Sequence, residues 1–299
     1  MPDNGVLPFE RSRILSYEEI IRVIKAAVKA GIVKIRLTGG EPLVRKNIDY
    51  LVSRIVGIPE IVDVGMTTNG VLLPKMAVPL FDAGLRRINI SLDTLNPIRF
   101  FKISGKYHLN KVLEGIETVL DMGFDPVKIN MVVIRDVNDD ELEHFARMSL
   151  TNPVHVRFIE YMPIGDGNCW SPEKTVPAKE ILFRLQQMGS LIPVGGSIFD
   201  GPSRRYRFEF ARGEIGIISA VSNHFCHKCN RLRLTADGKL RPCLFSNENM
   251  DIRHVLRKGC SENQLIEMIQ HAINKKPDGP QTEPYRMIGC RRTMSKIGG

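Results

Sequence analysis

No apolar run in the 299 residues approaches the roughly 20 that a membrane span requires, so no membrane span is expected. Aromatic residues are sparse, with one Trp and six Tyr in the whole chain. The interleaved aromatics of a nucleic-acid groove are therefore missing, and nucleic acid is not the expected partner. The formal net charge of +9 is spread along the sequence, with no basic tail. It implies either a solvated cationic surface or a polyphosphate ligand. The amino terminus reads as neither a signal nor a transit peptide; it opens on the turn-like Met1-Pro2-Asp3-Asn4-Gly5. Cysteine is also limited: six residues, of which Cys169, Cys260 and Cys290 are dispersed. That excludes a disulfide framework and suggests a reducing compartment. What remains is an ordinary globular composition, 43% hydrophobic and 25% charged, with length for one large domain or a large and a small one.

The other three cysteines cluster. Cys226 and Cys229 form C-x2-C, and Cys243 follows a turn signal at Asp237-Gly238 that could return it to the first two. Two readings stay open on this spacing alone. One is a structural Cys3His zinc knot completed by His224 or His227; the other is an iron–sulfur cluster on three thiolates with one iron left open. Arg231 and Arg233 lie between the arms, where a structural knot gains nothing from cations and an anionic ligand would.

Upstream, one grammar recurs. Ser16 and Glu19 form a capping box at the start of a helix running to Ala30, with Ile20, Val23, Ile24, Ala27 and Val28 on one face. Strands follow at 33–38, 62–67, 87–92, 127–134 and 154–160, separated by helices near 49–56, 75–83, 111–122 and 140–149. Such alternation predicts βαβ units and a parallel sheet, with the active site past the strand ends. Five strands are too few for a closed eight-stranded barrel, so the fold expected is α/β, a partial barrel over residues 1–189. Residues 190–299 read as a second unit: short strands at 206–210 and 216–219 form an antiparallel extension carrying the cysteines, followed by a helix at 262–274 and a turn-rich, mobile stretch at 275–284.

Candidate site residues collect at strand ends: Gly39-Gly40-Glu41-Pro42, Thr67, Ser91 with Asp93, and Glu160 with Met162. Each alone reads as a loop residue; together they would line one mouth. Arg36, Lys128 and Arg157 fall inside strands, where a charge is costly unless paired. Either they form ion pairs or lie at edges, or they point into one cavity and, with Arg231 and Arg233, hold a polyanion such as a triphosphate.

The runs Lys34-Ile35-Arg36-Leu37-Thr38-Gly39-Gly40-Glu41-Pro42-Leu43, Thr67-Thr68-Asn69-Gly70, Asn89-Ile90-Ser91-Leu92-Asp93, Arg157-Phe158-Ile159-Glu160 and His224-Phe225-Cys226-x-x-Cys229-Asn230-Arg231-Leu232-Arg233 resemble the GTP 3′,8-cyclase family. These are radical S-adenosylmethionine enzymes that begin molybdenum-cofactor biosynthesis. The likeness runs from Met1 to the tail, and Arg157-Phe158-Ile159-Glu160-Tyr161-Met162-Pro163 with Thr235-Ala236-Asp237-Gly238 leans toward the animal form. The resemblance implies a partial radical S-adenosylmethionine barrel and cyclisation of GTP to 3′,8-cyclo-7,8-dihydro-GTP, begun by a 5′-deoxyadenosyl radical that takes hydrogen from C3′ of the ribose. It implies a [4Fe–4S] cluster on Cys226, Cys229 and Cys243. Gly40, Ser91 and Met162 match S-adenosylmethionine contacts, and Glu41 and Pro42 complete that loop. Arg36, Thr67, Lys128, Arg231, Leu232 and Arg233 match GTP contacts, with Arg157 added to them, and Gly298-Gly299 resemble a tail that reaches the active site. The implied partners are GTP, S-adenosylmethionine, an electron donor, a second copy in a homodimer, and, by pathway, cyclic pyranopterin monophosphate synthase. The implied location is the mitochondrial matrix, otherwise the cytoplasm.

One departure stands out. The family's first [4Fe–4S] cluster is held by C-x3-C-x2-C directly before a Met-Pro, and Met1-Pro2 matches that Met-Pro. Its ligands and a first strand would precede residue 1, and no other cysteines here have that spacing. Two expectations follow: a natural protein longer than this sequence, or an inactive chain. In either case the strand at 33–38 should have one open edge. The reading from another class is a zinc-stabilised GTP-binding or scaffold protein without catalysis.

Overall fold

A computed structural model describes residues 10–164, 170–195, 201–245 and 248–277. Helix α1 (Tyr17–Lys29) starts at Ser16, whose hydroxyl accepts from the Glu19 amide while the Glu19 carboxylate accepts from the Ser16 amide, the expected capping box. Gly31 follows it at φ +90°, a left-handed position that ends the helix. The chain then alternates: β1 (Lys34–Leu37), α2 (Ile48–Val56), β2 (Asp63–Thr68), α3 (Leu73–Asp82), β3 (Arg87–Ser91), α4 (Pro97–Ser104), α5 (Leu109–Asp121), β4 (Val127–Val133), α6 (Leu142–Thr151), β5 (Val154–Glu160) and α7 (Ala178–Gln186). Beyond it lie β6 (Leu191–Pro193), β7 (Arg204–Phe208), β8 (Glu214–Ile218), β9 (Arg233–Leu234), β10 (Lys239–Arg241), β11 (Met250–Asp251), α8 (Arg253–Arg257) and α9 (Glu262–Asn274).

The first five strands pair in parallel in sequence order, as the alternation predicts. The hairpin of β7 and β8 extends the same sheet: β8 lies parallel to β5, and β7 and β6 continue antiparallel beyond it. The sheet order is therefore β1-β2-β3-β4-β5-β8-β7-β6. Among the described residues β1 pairs only with β2.

Two apolar cores hold the chain. The larger packs one sheet face (Met66, Ile88, Ile90, Ile129, Val156, Phe158, Ile215, Ile217) against α2, α3, α5, α6 and α7. The smaller joins Leu15, Val23, Ala26 and Ala27 to Leu240, Ile252, Leu256, Leu265 and Ile269. Helix α1 serves both, since Ile21 and Ile24 face the first core and Val23, Ala26 and Ala27 the second. Salt bridges from Lys29 to Glu262 (2.5 Å) and Arg257 to Glu19 (2.8 Å) add to that seam. Exposed pairs of this kind contribute little; the buried aliphatic contacts dominate. The carboxyl-terminal segment with the cysteines is thus fixed to the sheet through α1.

Candidate active site

In a strand, successive side chains alternate between faces, so register decides which residues share a wall. Arg36 pairs with Gly65, Gly65 with Arg87, Thr67 with Asn89, Asn89 with Lys128, Ser91 with Asn130, Asn130 with Arg157, and Arg157 with Gly216. Arg36, Thr67, Ser91, Lys128 and Arg157 therefore all fall on one face, opposite the apolar residues of the larger core. The three strand cations share this face, Arg36 from the edge strand β1 and Lys128 and Arg157 from the interior strands β4 and β5. They line a single wall.

Arg157 is 8% exposed, and among the described residues it has no carboxylate hydrogen-bond partner. Its Nε donates to Asn130 Oδ1 at 2.8 Å and its Nη2 to Asn89 Oδ1 at 2.7 Å. Burial, then the nearby charges of Arg36 and Arg87, pull its pKa down to about 9, still cationic at neutral pH. Neutral amides orient the guanidinium without cancelling its charge, which suits an anion brought from outside. Room for its stem comes from Gly216: a Cβ there would stand 2.9 Å from Arg157 Cγ.

Arg36 is solvent-accessible yet walled by protein, as a side chain in a wetted concavity should be. That enclosure lowers its pKa first, then Arg87, while Asp63 opposes and Arg231 adds to the repulsion. Asp63 itself is held by Arg87 (2.6 Å) and Lys34 (3.2 Å). Lys128 shares a small cavity with His155, Arg157, Ser203, Arg205 and Glu214. Burial pulls His155 down to about 4, against the opposing pull of Glu214.

The strand-end loops are tied by two carboxylates. Glu41 caps the short 3-10 turn Pro42–Val44 through the Leu43 amide (3.0 Å) and accepts from Thr68 Oγ1 (2.7 Å) and the Asn69 amide (2.7 Å). Burial raises its pKa while those bonds oppose the shift. Its acceptor capacity therefore holds the loops after β1 and β2 together. Glu160, fully buried, accepts from the amides of Ala178 (2.7 Å), Val221 (2.7 Å) and Ser222 (2.8 Å), and from the Ser222 hydroxyl. Around them Gly40 is exposed before the Pro42–Val44 turn, Ser91 ends β3, and Met162 follows β5. Gly39, at φ +150°, supplies the sharp turn off β1.

The cysteine arm comes near this wall at Arg231, which lies within electrostatic reach of Arg36. Cys226 opens a 3-10 turn, Cys226–Lys228, and the Cys229 amide donates back to the Cys226 carbonyl (3.0 Å). Strands β9 and β10 form the expected hairpin, with Gly238 at φ +78°, and Cys243 follows β10. Burial, then Cys243 and Cys229, raise the Cys226 thiol. Burial would raise Cys229 too, but Arg231, with its Nε 3.5 Å from the sulfur, and then Lys276 bring it below the ordinary value. Arg233 is lowered to about 10 by burial and then Arg231, while Cys229 and Cys243 oppose the shift. Leu232 packs on the smaller core. The three thiols lie within one another's electrostatic reach, although no three His, Cys, Asp or Glu side chains among the described residues converge tightly enough to grip a single ion. Soft donors flanked by Arg231, Arg233 and Lys276 fit an iron–sulfur group, whose thiolates and sulfides carry negative charge.

Asn89 and Asn130, which orient Arg157, and Lys276, beside Cys229, have no site role in the sequence expectations. The signal for the first two was available, since Arg87-Ile88-Asn89-Ile90-Ser91 alternates polar and apolar residues as a strand with one wetted face does. Gly298, Gly299, Cys169, Cys290 and positions 278–284 of the turn-rich stretch lie outside the described residues.

Two family models match the chain: one described as Radical SAM superfamily over residues 5–149, the other as Molybdenum Cofactor Synthesis C over residues 154–282. The chain is 46% identical to a GTP 3′,8-cyclase of Pelotomaculum thermopropionicum and 47% identical to one of Desulforamulus reducens, in each case over 100% of this chain and 92% of the relative. A crystal structure of Streptococcus suis SuiB bound to S-adenosylmethionine shares the fold, with a TM-score of 0.55 at 14% identity over 80% of this chain and 57% of that one. These cyclase relatives are bacterial, so the animal-like phrases and the mitochondrial location they implied have no support in them. No helix among the described residues is long and apolar enough to cross a membrane. With both family models matched and relatives this similar over its whole length, the chain belongs to the GTP 3′,8-cyclases, radical S-adenosylmethionine enzymes of molybdenum-cofactor biosynthesis.

Proposed function

We propose that the charged wall and the cysteine arm form one GTP site. The triphosphate lies against Arg36, Lys128 and Arg157, and the guanine lies toward Cys226, Cys229 and Cys243, between Arg231 and Arg233, with only the backbone of Leu232 turned to it because its side chain packs on the smaller core. The observation that carries this reading is Arg157, buried and held by the Asn130 and Asn89 amides with its charge uncancelled, and Arg231 within electrostatic reach of Arg36 on the same wall supports it. A buried arginine oriented by amides gains most from a ligand that brings its own negative charge. Thr67 accepts from Asn89 (3.2 Å) at the same wall, and its hydroxyl would contact the nucleotide.

S-adenosylmethionine would sit across the strand ends at Gly40, Ser91 and Met162, with the Glu41 carboxylate holding that loop in shape. Cys226, Cys229 and Cys243 would hold an iron–sulfur cluster, which when bound offers an iron that can accept a ligand from the purine. The chain's own part is to bind and orient GTP and to shield it from water. Its six cysteines include no C-x3-C-x2-C, so no step through a second cluster is assigned to these residues.

The test is anaerobic reconstitution with iron and sulfide, metal and sulfide analysis, and calorimetric titration with GTP. Iron and sulfide in cluster stoichiometry and saturable GTP binding are expected. Arg231→Ala with Arg233→Ala should weaken GTP binding while iron content holds. One tightly held zinc without sulfide would remove the cluster, and GTP affinity unchanged in the double variant would remove the arginines' role.

A further inference from the structure

Lys276 lies just past α9, its amide bonded to the Ile273 carbonyl (3.0 Å). Its ammonium reaches back over the cysteine arm and meets three acceptors from two separate segments. It donates to the Arg231 carbonyl at 2.7 Å and to the Pro242 carbonyl at 3.1 Å, and lies 3.9 Å from Cys229 Sγ. An ammonium has three N–H donors, and three acceptors converge on it. Arg231 is two residues past Cys229, and Pro242 immediately precedes Cys243. One side chain thus joins the strand leaving the first thiol pair to the turn that presents the third.

The hairpin alone does not do this. Strands β9 and β10 pair at Leu234–Leu240 and Arg233–Arg241, with the Thr235 amide donating to the Lys239 carbonyl at the turn end, so among the described residues the ladder reaches neither Cys229 nor Cys243. Carbonyls at the cysteine end of the hairpin would otherwise turn to water. Helix α9 gives Lys276 a firm base, because Leu265, Ile269 and Ala272 are buried in the smaller core with α1.

We propose that Lys276 is a positioning residue for the cysteine site, a clip that holds Cys229 and Cys243 in facing registers and donates to the sulfur of Cys229. The clip rests on the reading that these thiols hold an iron–sulfur cluster. Hydrogen bonds to a ligating sulfur and the net charge around a cluster both set its potential, and supporting groups of this kind typically change metal affinity by about 10–100-fold. Lys276→Met keeps the length and removes the donors and the charge.

The experiment compares wild type and Lys276→Met as full chains after anaerobic reconstitution. Three quantities are read: the rate of iron loss to a chelator, the reduction midpoint of the bound cluster, and the melting temperature of the metal-free protein. The expected result is iron loss about 10-fold faster and a midpoint shifted to more negative potential, with metal-free melting little changed. The shift in midpoint is a signature that a merely structural lysine would not produce. If Lys276→Met melts too early to load, Lys276→Gln, which removes the charge but keeps a neutral amide with two N–H donors, is read in the same way. Equal iron retention and equal midpoints overturn the clip while leaving the cluster reading intact. A wild-type protein that takes up no iron and sulfide overturns both.

Discussion

The Asn89 carboxamide joins two strands of the polar wall, accepting from Arg157 Nη2 at 2.7 Å and donating to Thr67 Oγ1 at 3.2 Å. It is 4% exposed, so water cannot replace it without rearrangement. Its chemistry separates orientation from charge. Asn89→Ala should cost about 1–3 kcal/mol by leaving buried donors unmet. Asn89→Asp keeps an acceptor for Arg157 but adds a carboxylate that neutralises it. The expected outcome is a protein that melts close to wild type yet binds GTP at least about 10-fold more weakly, since a charge-assisted contact is lost. Denaturation curves and calorimetric titration of both variants check this pair.

Two glycines give unequal forecasts. At Gly216 an added Cβ would stand 2.3 Å from Ser203 Oγ and 2.9 Å from Arg157 Cγ, both side-chain atoms that can move. Gly216→Ala should therefore displace Arg157 and weaken GTP binding several-fold, for a stability loss of about 1–2 kcal/mol. At Gly213 the added atom would stand 2.1 Å from the Val154 carbonyl oxygen, which is backbone and cannot yield cheaply. Gly213→Ala should lose about 3 kcal/mol or more in urea denaturation. Equal effects of the two substitutions would contradict this account.

His155 supplies a pH dependence. Its folded pKa of about 4 lies below the ordinary 6.5, with burial as the main cause. A folded state that resists protonation is stabilised while the histidine is neutral in both states, above pH 6.5. That contribution fades as pH falls from 6.5 toward 4, because the unfolded chain takes up the proton first. The loss should be on the order of 2 kcal/mol between pH 8 and pH 5. Urea denaturation at both values, repeated on His155→Gln, isolates it: the variant should lose less stability over the same interval.

Much of this architecture was legible because burial writes itself into period. The capping box at Ser16 and the apolar stripe of α1 marked that helix, and the β-rich runs marked five parallel strands. Helix α4 was not legible: none of its residues is buried, so no stripe forms, and its start is signalled only by the Asn96 cap and Pro97. Arg36, Lys128 and Arg157 were visible as misplaced charges, but their common face depends on the register between strands, which a single sequence does not carry. The docking of β8 beside β5 is likewise a long-range pairing. Lys276 was invisible for the same reason, since its partners Arg231 and Pro242 are 45 and 34 positions away in sequence.

The wall of Arg36, Arg87, Lys128 and Arg157 has a further consequence. Arg157, oriented by the Asn130 and Asn89 amides, keeps its charge for whatever anion enters, and chloride or phosphate from a buffer would answer to it as a nucleotide does. A nucleotide that enters must trade places with those ions, so its grip should slacken with every increment of salt, and phosphate buffer should compete where a zwitterionic buffer does not.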